Sequence, residues 1–185
     1  MKDRTTQSRR DFLKALGGVT ALTALPSTAL AKFQTNQDHS LSLVNLHTGE
    51  ALNSTFYSDG IYQADSLQAL NHVLRDHRNN KVHNMDQQLL MLLHDLQQTF
   101  GEHKPIHIIS AYRSPESNEL LRQKSNKVAK RSYHMLGQAV DIRIPGVDIK
   151  DLHKASLAMR SGGVGLYTRS NFVHLDVGRV RNWGK

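Results

Sequence analysis

Hydrophobic and polar positions along the chain alternate with two different periods. Apolar residues at every second position predict a strand, and apolar residues three or four positions apart predict a helix. The predicted strands are 40–46, 51–57, 106–110, 139–144, 164–167 and 172–177. The predicted helices begin at four caps: Asp65 or Ser66, Asp86, Ser114 and Asp148. Because strands and helices are grouped and do not strictly alternate, the pattern predicts an α+β domain with a mostly antiparallel sheet and flanking helices.

The first 31 residues have a different pattern. The charged segment SRRDFLK (8–14) precedes an apolar run (15–25), and the small residues of Ala-Leu-Ala (29–31) follow it. A charged start, an apolar stretch and a small-residue cleavage site together predict an export signal. The apolar run is shorter than the roughly 20 residues that a transmembrane helix needs, so we expect no stable membrane span after cleavage.

The arginine pair followed by Phe-Leu-Lys resembles a twin-arginine signal, which the twin-arginine export machinery recognises. This resemblance implies a periplasmic protein. We therefore expect residues 1–31 to be a signal peptide, either cleaved after Ala31 or retained uncut in the membrane, 32–39 a flexible lead and 40–185 a single domain.

Composition narrows the possible chemistry. The chain of 185 residues has no cysteine, which excludes disulfides, thiolate catalysis and cysteine-ligated metals. A metal ion would need imidazole, carboxylate or main-chain oxygen ligands. The net charge of +8 favours anionic partners without identifying one. Nucleic acid is not expected as a partner of an exported chain that has no recognised nucleic-acid motif.

Two predicted strands carry chemically active residues on a polar face. Alternation places Asp141 opposite the apolar residues of its strand, and it places His174 and Asp176 together on one face of theirs. With His134 just before the first of these strands, two imidazoles and a carboxylate become available. Such a set, with a fourth position left to water, is typical of catalytic zinc, which activates the water and polarises a carbonyl. Each residue alone has a plainer interpretation, such as a solvated histidine or an ion pair between Asp141 and Arg143.

Several motifs resemble those of one enzyme superfamily. Ser132-x-His134-x-x-Gly137-x-Ala139-x-Asp141 resembles the first metal motif of the zinc D-Ala-D-Ala metallopeptidases, whose superfamily includes lysostaphin-type endopeptidases and the hedgehog domain. The segment 110–114 (SAYRS) resembles the Ser-Gly-Tyr-Arg-Ser segment that precedes that motif. The segments 46–50, 162–165 and 170–176 look like those of the exported murein endopeptidases of the K type.

The resemblance implies a hedgehog-like, D-Ala-D-Ala metallopeptidase-like fold in which His134, Asp141 and His174 hold Zn²⁺. It implies hydrolysis of peptide cross-links in peptidoglycan during cell-wall remodelling, with a bond between two diaminopimelate residues favoured. Arg113 corresponds to the arginine that lies near the substrate carbonyl or carboxylate, where a guanidinium stabilises an oxyanion or binds a carboxylate. A surface ion pair is the plainer interpretation of Arg113.

One position departs from the pattern of the superfamily. Many D-Ala-D-Ala metallopeptidases have an acidic general base three residues before the last histidine ligand, where this chain has Asn171. We expect Asp176 to be the substitute, because it shares a strand face with His174. Two other roles remain open for Asp176: orienting a histidine ligand, or pairing with Arg179 or Arg181.

Other functions also fit the sequence. A D,D- or L,D-carboxypeptidase would trim uncrosslinked stem peptides, and a non-catalytic wall-binding module would use zinc for stability alone. Tyr133 and Tyr167 can supply a hydroxyl or line a groove, although aromatic packing is their plainer role.

Overall fold

The computed structural model describes residues 38–101, 104–126 and 128–184. Within them lie eight strands and four α-helices, together with two single 3₁₀ turns (Tyr133–Leu136 and Thr168–Ser170). The strands are β1 (His39–Asn45), β2 (Ala51–Ser58), β3 (Ile61–Tyr62), β4 (Ile106–Ser110), β5 (Ala139–Arg143), β6 (Gly163–Tyr167), β7 (Phe172–Asp176) and β8 (Arg181–Trp183). The helices are α1 (Ala64–Val73), α2 (Gln87–Phe100), α3 (Pro115–Lys124) and α4 (Ile149–Ala158).

All eight strands belong to one sheet, in the order β3-β2-β1-β4-β5-β7-β6-β8. The pairs β1–β4 and β6–β8 are parallel, and the other neighbours are antiparallel. The predicted α+β fold with a mostly antiparallel sheet is therefore confirmed. Strand β5 lies between β4 and β7, so both edges of its backbone are paired with a neighbouring strand.

The core lies between the sheet and α2. The Asp86 side chain caps this helix by accepting a hydrogen bond from the Gln88 amide at 2.9 Å, as the sequence predicted. The apolar stripe of α2 is fully buried, and each leucine buried in this way stabilises the fold by about 1.5–3 kcal/mol. Gln97 fixes the helix to β1, because its amide nitrogen donates to the Ser42 carbonyl at 3.1 Å and its amide oxygen accepts from the Ser42 amide at 3.1 Å.

The predicted cap of α1, Asp65 or Ser66, is wrong. The helix begins at Ala64 with Gln63 as its cap, without a side-chain cap bond, and Asp65 lies in its first turn. The Gln63 amide instead donates to the Phe56 carbonyl at 2.9 Å, so the β2–β3 hairpin determines where the helix starts. The strands β3 and β8 were not predicted, and β1 begins at His39.

The expected signal peptide (1–31) and most of the expected lead (32–39) lie outside the described residues. Among the residues that are described, no helix combines the length and the apolar character needed to cross a membrane.

Candidate metal centre

Three elements bring the predicted ligands together. His134 lies in the 3₁₀ turn just before β5, Asp141 lies in β5, and His174 lies in β7. In the antiparallel pair of β5 and β7, Asp141 stands directly opposite His174. Side chains of directly paired residues lie on the same face of a sheet. The polar faces of β5 and β7 therefore lie side by side. Alternation within each strand predicted the polar face of that strand.

The ligand atoms of His134, Asp141 and His174 all lie within 4.8 Å of one another. The His134 Nε2 atom is 3.3 Å from His174 Nδ1 and 3.4 Å from an Asp141 carboxylate oxygen, and His174 Nδ1 is 2.8 Å from the same oxygen. Ligands about 2 Å from a tetrahedral ion lie roughly 3.3 Å from one another. The spacing of these three atoms therefore suits a single cation of that coordination.

Outer hydrogen bonds determine which imidazole nitrogen faces the centre. His134 Nδ1 is 2.7 Å from the carbonyl oxygen of Ala111, which can only accept, so Nδ1 carries the proton and Nε2 has the lone pair. His174 Nε2 is 3.2 Å from Asp176 Oδ2 and donates to it. Two inward nitrogens and the Asp141 carboxylate thus face one another as electron-pair donors, an arrangement that a cation stabilises.

Electrostatics at the centre also favour positive charge. Burial raises the pKa of Asp141, but the neighbouring His134 and His174 outweigh burial, and the pKa lies well below its usual value. Burial lowers the pKa of His174, yet hydrogen bonds to Asp141 and Asp176 outweigh it and the pKa is raised.

Asp176 is completely buried and its carboxylate is fully engaged. Arg181 donates to both oxygens, at 2.6 and 3.0 Å, and the amides of Gly163 and Gly178 donate to Oδ1 at 3.2 and 2.9 Å. With His174 as a further donor, neither oxygen has an open side. Burial raises the pKa of Asp176, but His174 and Arg181 outweigh it, and the carboxylate stays ionised at a pKa far below its usual value.

Arg113 lies beside Asp141, one of the predicted ligands. One of its terminal nitrogens is 4.0 Å from Asp141 Oδ2, and its bonds to Asn118 and Ser110 are long, at 3.4 Å each. Its Nε atom is buried without a partner among the described residues. Burial lowers the pKa of Arg113, against the opposing effect of Asp141. Because the bonds to Asn118 and Ser110 are long, the terminal nitrogens of Arg113 retain donors for a further oxygen ligand.

Arg113 and the three ligands line one cleft of about 690 Å³. Its walls combine basic and aromatic side chains, namely Arg131, Arg169, Arg181, Tyr133, Tyr167, Phe172 and Trp183. Asp141 is the single carboxylate among the described residues that line it. Asn171 occupies the left-handed turn before β7, with a φ of 51°, a conformation that asparagine tolerates well.

Comparison with known proteins assigns the chain to a family. The family described as peptidoglycan L,D-endopeptidase MepK matches residues 33–183. The chain belongs to the MepK family. The MepK proteins of Escherichia coli K12 and Shigella flexneri are each 46% identical to it over 182 residues, covering 98% of this chain and 100% of each relative. A protein of Haemophilus influenzae named probable peptidoglycan L,D-endopeptidase MepK is 37% identical over 179 residues, covering 96% of both chains. No solved structure matches the chain significantly.

These comparisons confirm the predicted relationship to exported murein endopeptidases. The twin-arginine signal family matches residues 6–26, which confirms the predicted export to the periplasm by that route. MepK proteins belong to the M15 peptidases, which are generally metal-dependent, and the His-Asp-His cluster of this chain suits a metal ion.

Two residues of the site were not singled out from the sequence. The strand pattern does not point to Trp183, and it indicates Arg181 only as a possible partner of Asp176. Both residues lie in β8, whose parallel pairing with β6 brings them to the cleft. Their signal in the sequence was a cation and an aromatic residue two positions apart after a predicted hairpin.

Proposed function

We propose that this protein hydrolyses peptide cross-links of peptidoglycan in the periplasm, as a metal-dependent L,D-endopeptidase that takes part in cell-wall remodelling. The favoured bond joins two diaminopimelate residues. The observation that carries this proposal is the convergence of three metal-ligand atoms within 4.8 Å in the cleft of a chain that belongs to the MepK family.

His134, Asp141 and His174 hold the metal in this proposal, and Zn²⁺ is the ion that two imidazoles and one carboxylate suit best. A zinc ion with three protein ligands supplies a water of lowered pKa and polarises a carbonyl. The chain contributes the fixed tautomers: His134 through Ala111 and His174 through Asp176. Second contacts of this kind commonly determine both the orientation and the basicity of the ligand.

Arg113 binds the substrate beside the metal ligands. Arg113 lines the cleft and its own protein contacts are long, which supports a hydrogen bond to a substrate oxygen. A guanidinium donates two parallel hydrogen bonds to a carboxylate or stabilises charge on a carbonyl oxygen. The further arginines around the cleft suit stem peptides, which are rich in carboxylates.

Asp176 positions His174 and does not act as the general base. A base needs an oxygen that reaches the attacking water, but both oxygens of Asp176 are occupied by Arg181, His174 and two backbone amides. The complete burial of Asp176 also argues against a role as general base. Of the roles left open by the sequence, pairing with Arg181 and orientation of His174 both have the support of these contacts.

Purified mature protein, loaded with zinc, is incubated with four defined muropeptides: dimers cross-linked through diaminopimelate–diaminopimelate or D-alanine–diaminopimelate bonds, and monomeric tetrapeptides and pentapeptides. We expect the dimer with the diaminopimelate–diaminopimelate bond to be converted to monomers. Mass spectrometry monitors this conversion. Loss of a terminal residue from monomers would instead identify a carboxypeptidase. Thermal stabilisation by zinc without any product would identify a wall-binding module.

A further inference from the structure

Four paired residues form a row across β5, β7, β6 and β8, and two of them are predicted metal ligands. Gly165 of β6 stands opposite His174 on one side and opposite Trp183 of β8 on the other. Together with Asp141 these residues form one line across the sheet. A Cβ atom at Gly165 would overlap the indole of Trp183, so glycine is what allows the ring to lie across β6.

The indole of Trp183 connects the ligand His174 with Tyr167. Its ring centroid is 5.2 Å from that of His174, and its Nε1 atom donates to the Tyr167 hydroxyl oxygen at 3.0 Å. The phenol ring of Tyr167 stacks on Phe172, with centroids 4.5 Å apart and planes inclined by 17°. Both the ring and the hydroxyl oxygen of Tyr167 are therefore held in place.

The direction of this hydrogen bond leaves the hydroxyl proton of Tyr167 available. An indole N–H can only donate, so the Tyr167 oxygen must accept, and a phenol has one further proton to give. Among the described residues, the hydrogen bond recorded for the Tyr167 hydroxyl is the one from Trp183, which cannot accept this proton. Tyr167 lines the same cleft as the predicted ligands and Arg113.

We propose that Tyr167 is a catalytic residue whose hydroxyl donates a hydrogen bond to the oxygen of the scissile carbonyl, and that Trp183 is its positioning residue. This proposal rests on the proposed function. As the carbonyl oxygen gains negative charge, a donor that is already oriented stabilises it without reorganisation. In this proposal Tyr167, from β6, and Arg113 both line the cleft and both donate to this oxygen.

The test uses the variants Tyr167→Phe, Trp183→Phe and the double variant, all in the mature zinc-loaded protein. Tyr62→Phe is the control, because Tyr62 lies in β3, at the other edge of the sheet, where its ring packs on Tyr57 at 4.9 Å. Turnover of the diaminopimelate-linked dimer gives kcat and KM. Calorimetry gives the affinity for a phosphinate analogue of the dimer, which mimics the tetrahedral state and is not cleaved.

Tyr167→Phe is expected to lower kcat roughly 100- to 1,000-fold, as loss of one donor to an oxyanion does, with KM changed less than twofold. The affinity for the phosphinate should fall at least tenfold, while zinc affinity and thermal stability stay close to those of Tyr62→Phe. Trp183→Phe should lower kcat several-fold alone, and less than twofold once Tyr167 is already phenylalanine, because it acts through the hydroxyl.

Unchanged kcat and phosphinate affinity in Tyr167→Phe would overturn the role of Tyr167, as would a higher KM with an unchanged kcat. Equal losses from Trp183→Phe in both backgrounds would overturn the positioning role. If the wild-type protein itself leaves every dimer intact, the proposed function fails, and that outcome differs from a variant that matches an active wild type.

Discussion

The imidazole of His174 donates its Nε2 proton to Asp176 at 3.2 Å, and Asp176 is itself completely buried. This bond leaves Nδ1 to face Asp141 and His134. A carboxylate that orients a ligand histidine in this way makes the histidine a stronger ligand. In the proposed metal centre, the bond between His174 and Asp176 therefore links a buried ion pair, Asp176 with Arg181, to the strength of metal binding.

Replacement of Asp176 distinguishes a positioning residue from a general base. We expect Asp176→Asn to weaken zinc binding 10- to 100-fold, because the amide no longer fixes the tautomer of His174. Most of the activity should return at saturating zinc. Zinc affinity is measured by competition with a chelating dye, and turnover is measured at several zinc concentrations.

Asp151→Asn serves as the matched control, since Asp151 is an exposed carboxylate in the first turn of α4. It should leave zinc affinity unchanged. If Asp176→Asn instead bound zinc normally and stayed inactive at every zinc concentration, Asp176 would be the general base and the positioning role would be wrong.

A second buried carboxylate, Asp76, holds the segment that carries Arg113. Asp76 is completely buried, and it accepts from the Ser114 amide at 2.9 Å and from the Arg78 amide at 3.1 Å. We expect Asp76→Asn to lower the free energy of unfolding by about 1.5–3 kcal/mol, the usual worth of hydrogen bonds to a charged group. It should also lower kcat, because Arg113 loses its fixed position.

A double-mutant cycle separates these two effects of Asp76. In an Arg113→Ala background, Asp76→Asn should still reduce stability in urea unfolding but should no longer reduce kcat. If Asp76→Asn reduced kcat by the same factor with and without Arg113, Asp76 would not act through Arg113.

His77 makes the stability of the fold sensitive to pH. Its ring stacks on His47 with centroids 3.8 Å apart, and burial together with the charge of Arg78 lowers the pKa of His77 from 6.5 to about 4. Between these two values the unfolded chain binds the proton and the folded chain does not. The free energy of unfolding from this group therefore rises with pH through that window and is constant above about pH 7.

Urea unfolding of wild type and His77→Gln across pH 4.5 to 7.5 tests this assignment, and the comparison cancels the other titrating groups. The wild type should lose more stability than the variant as the pH falls. Parallel curves for the two proteins over the whole range would show that His77 titrates normally in the folded chain.

The ligand set was accessible from the sequence, whereas the contacts that support it were not. Alternation predicted the polar face that bears Asp141 and the one that bears His174, and only strand pairing was needed to join them. Arg181 and Trp183 reach the site through β8, a strand of three residues, which is too short to show a period. Arg181 of this strand donates to the Asp176 carboxylate, so the sequence alone left the role of Asp176 open.

The start of α1 shows the same limitation on a smaller scale. Asp65 and Ser66 are good capping residues, yet the helix begins before them, because the β2–β3 hairpin fixes the backbone at Gln63. In α1 the hydrogen bond from the Gln63 backbone amide to Phe56 therefore accompanies a start that local capping preference alone does not predict.

Metal-dependent hydrolysis by His134, Asp141 and His174 is tested most directly by muropeptide analysis of purified sacculi. Sacculi are digested with wild-type protein and with His134→Ala, each with and without a chelator. Cross-linked dimers should decrease only in the wild-type digest without chelator, and adding zinc in excess of the chelator should restore this loss to the wild type alone. Equal amounts of cleaved product in all four digests would contradict catalysis at this centre.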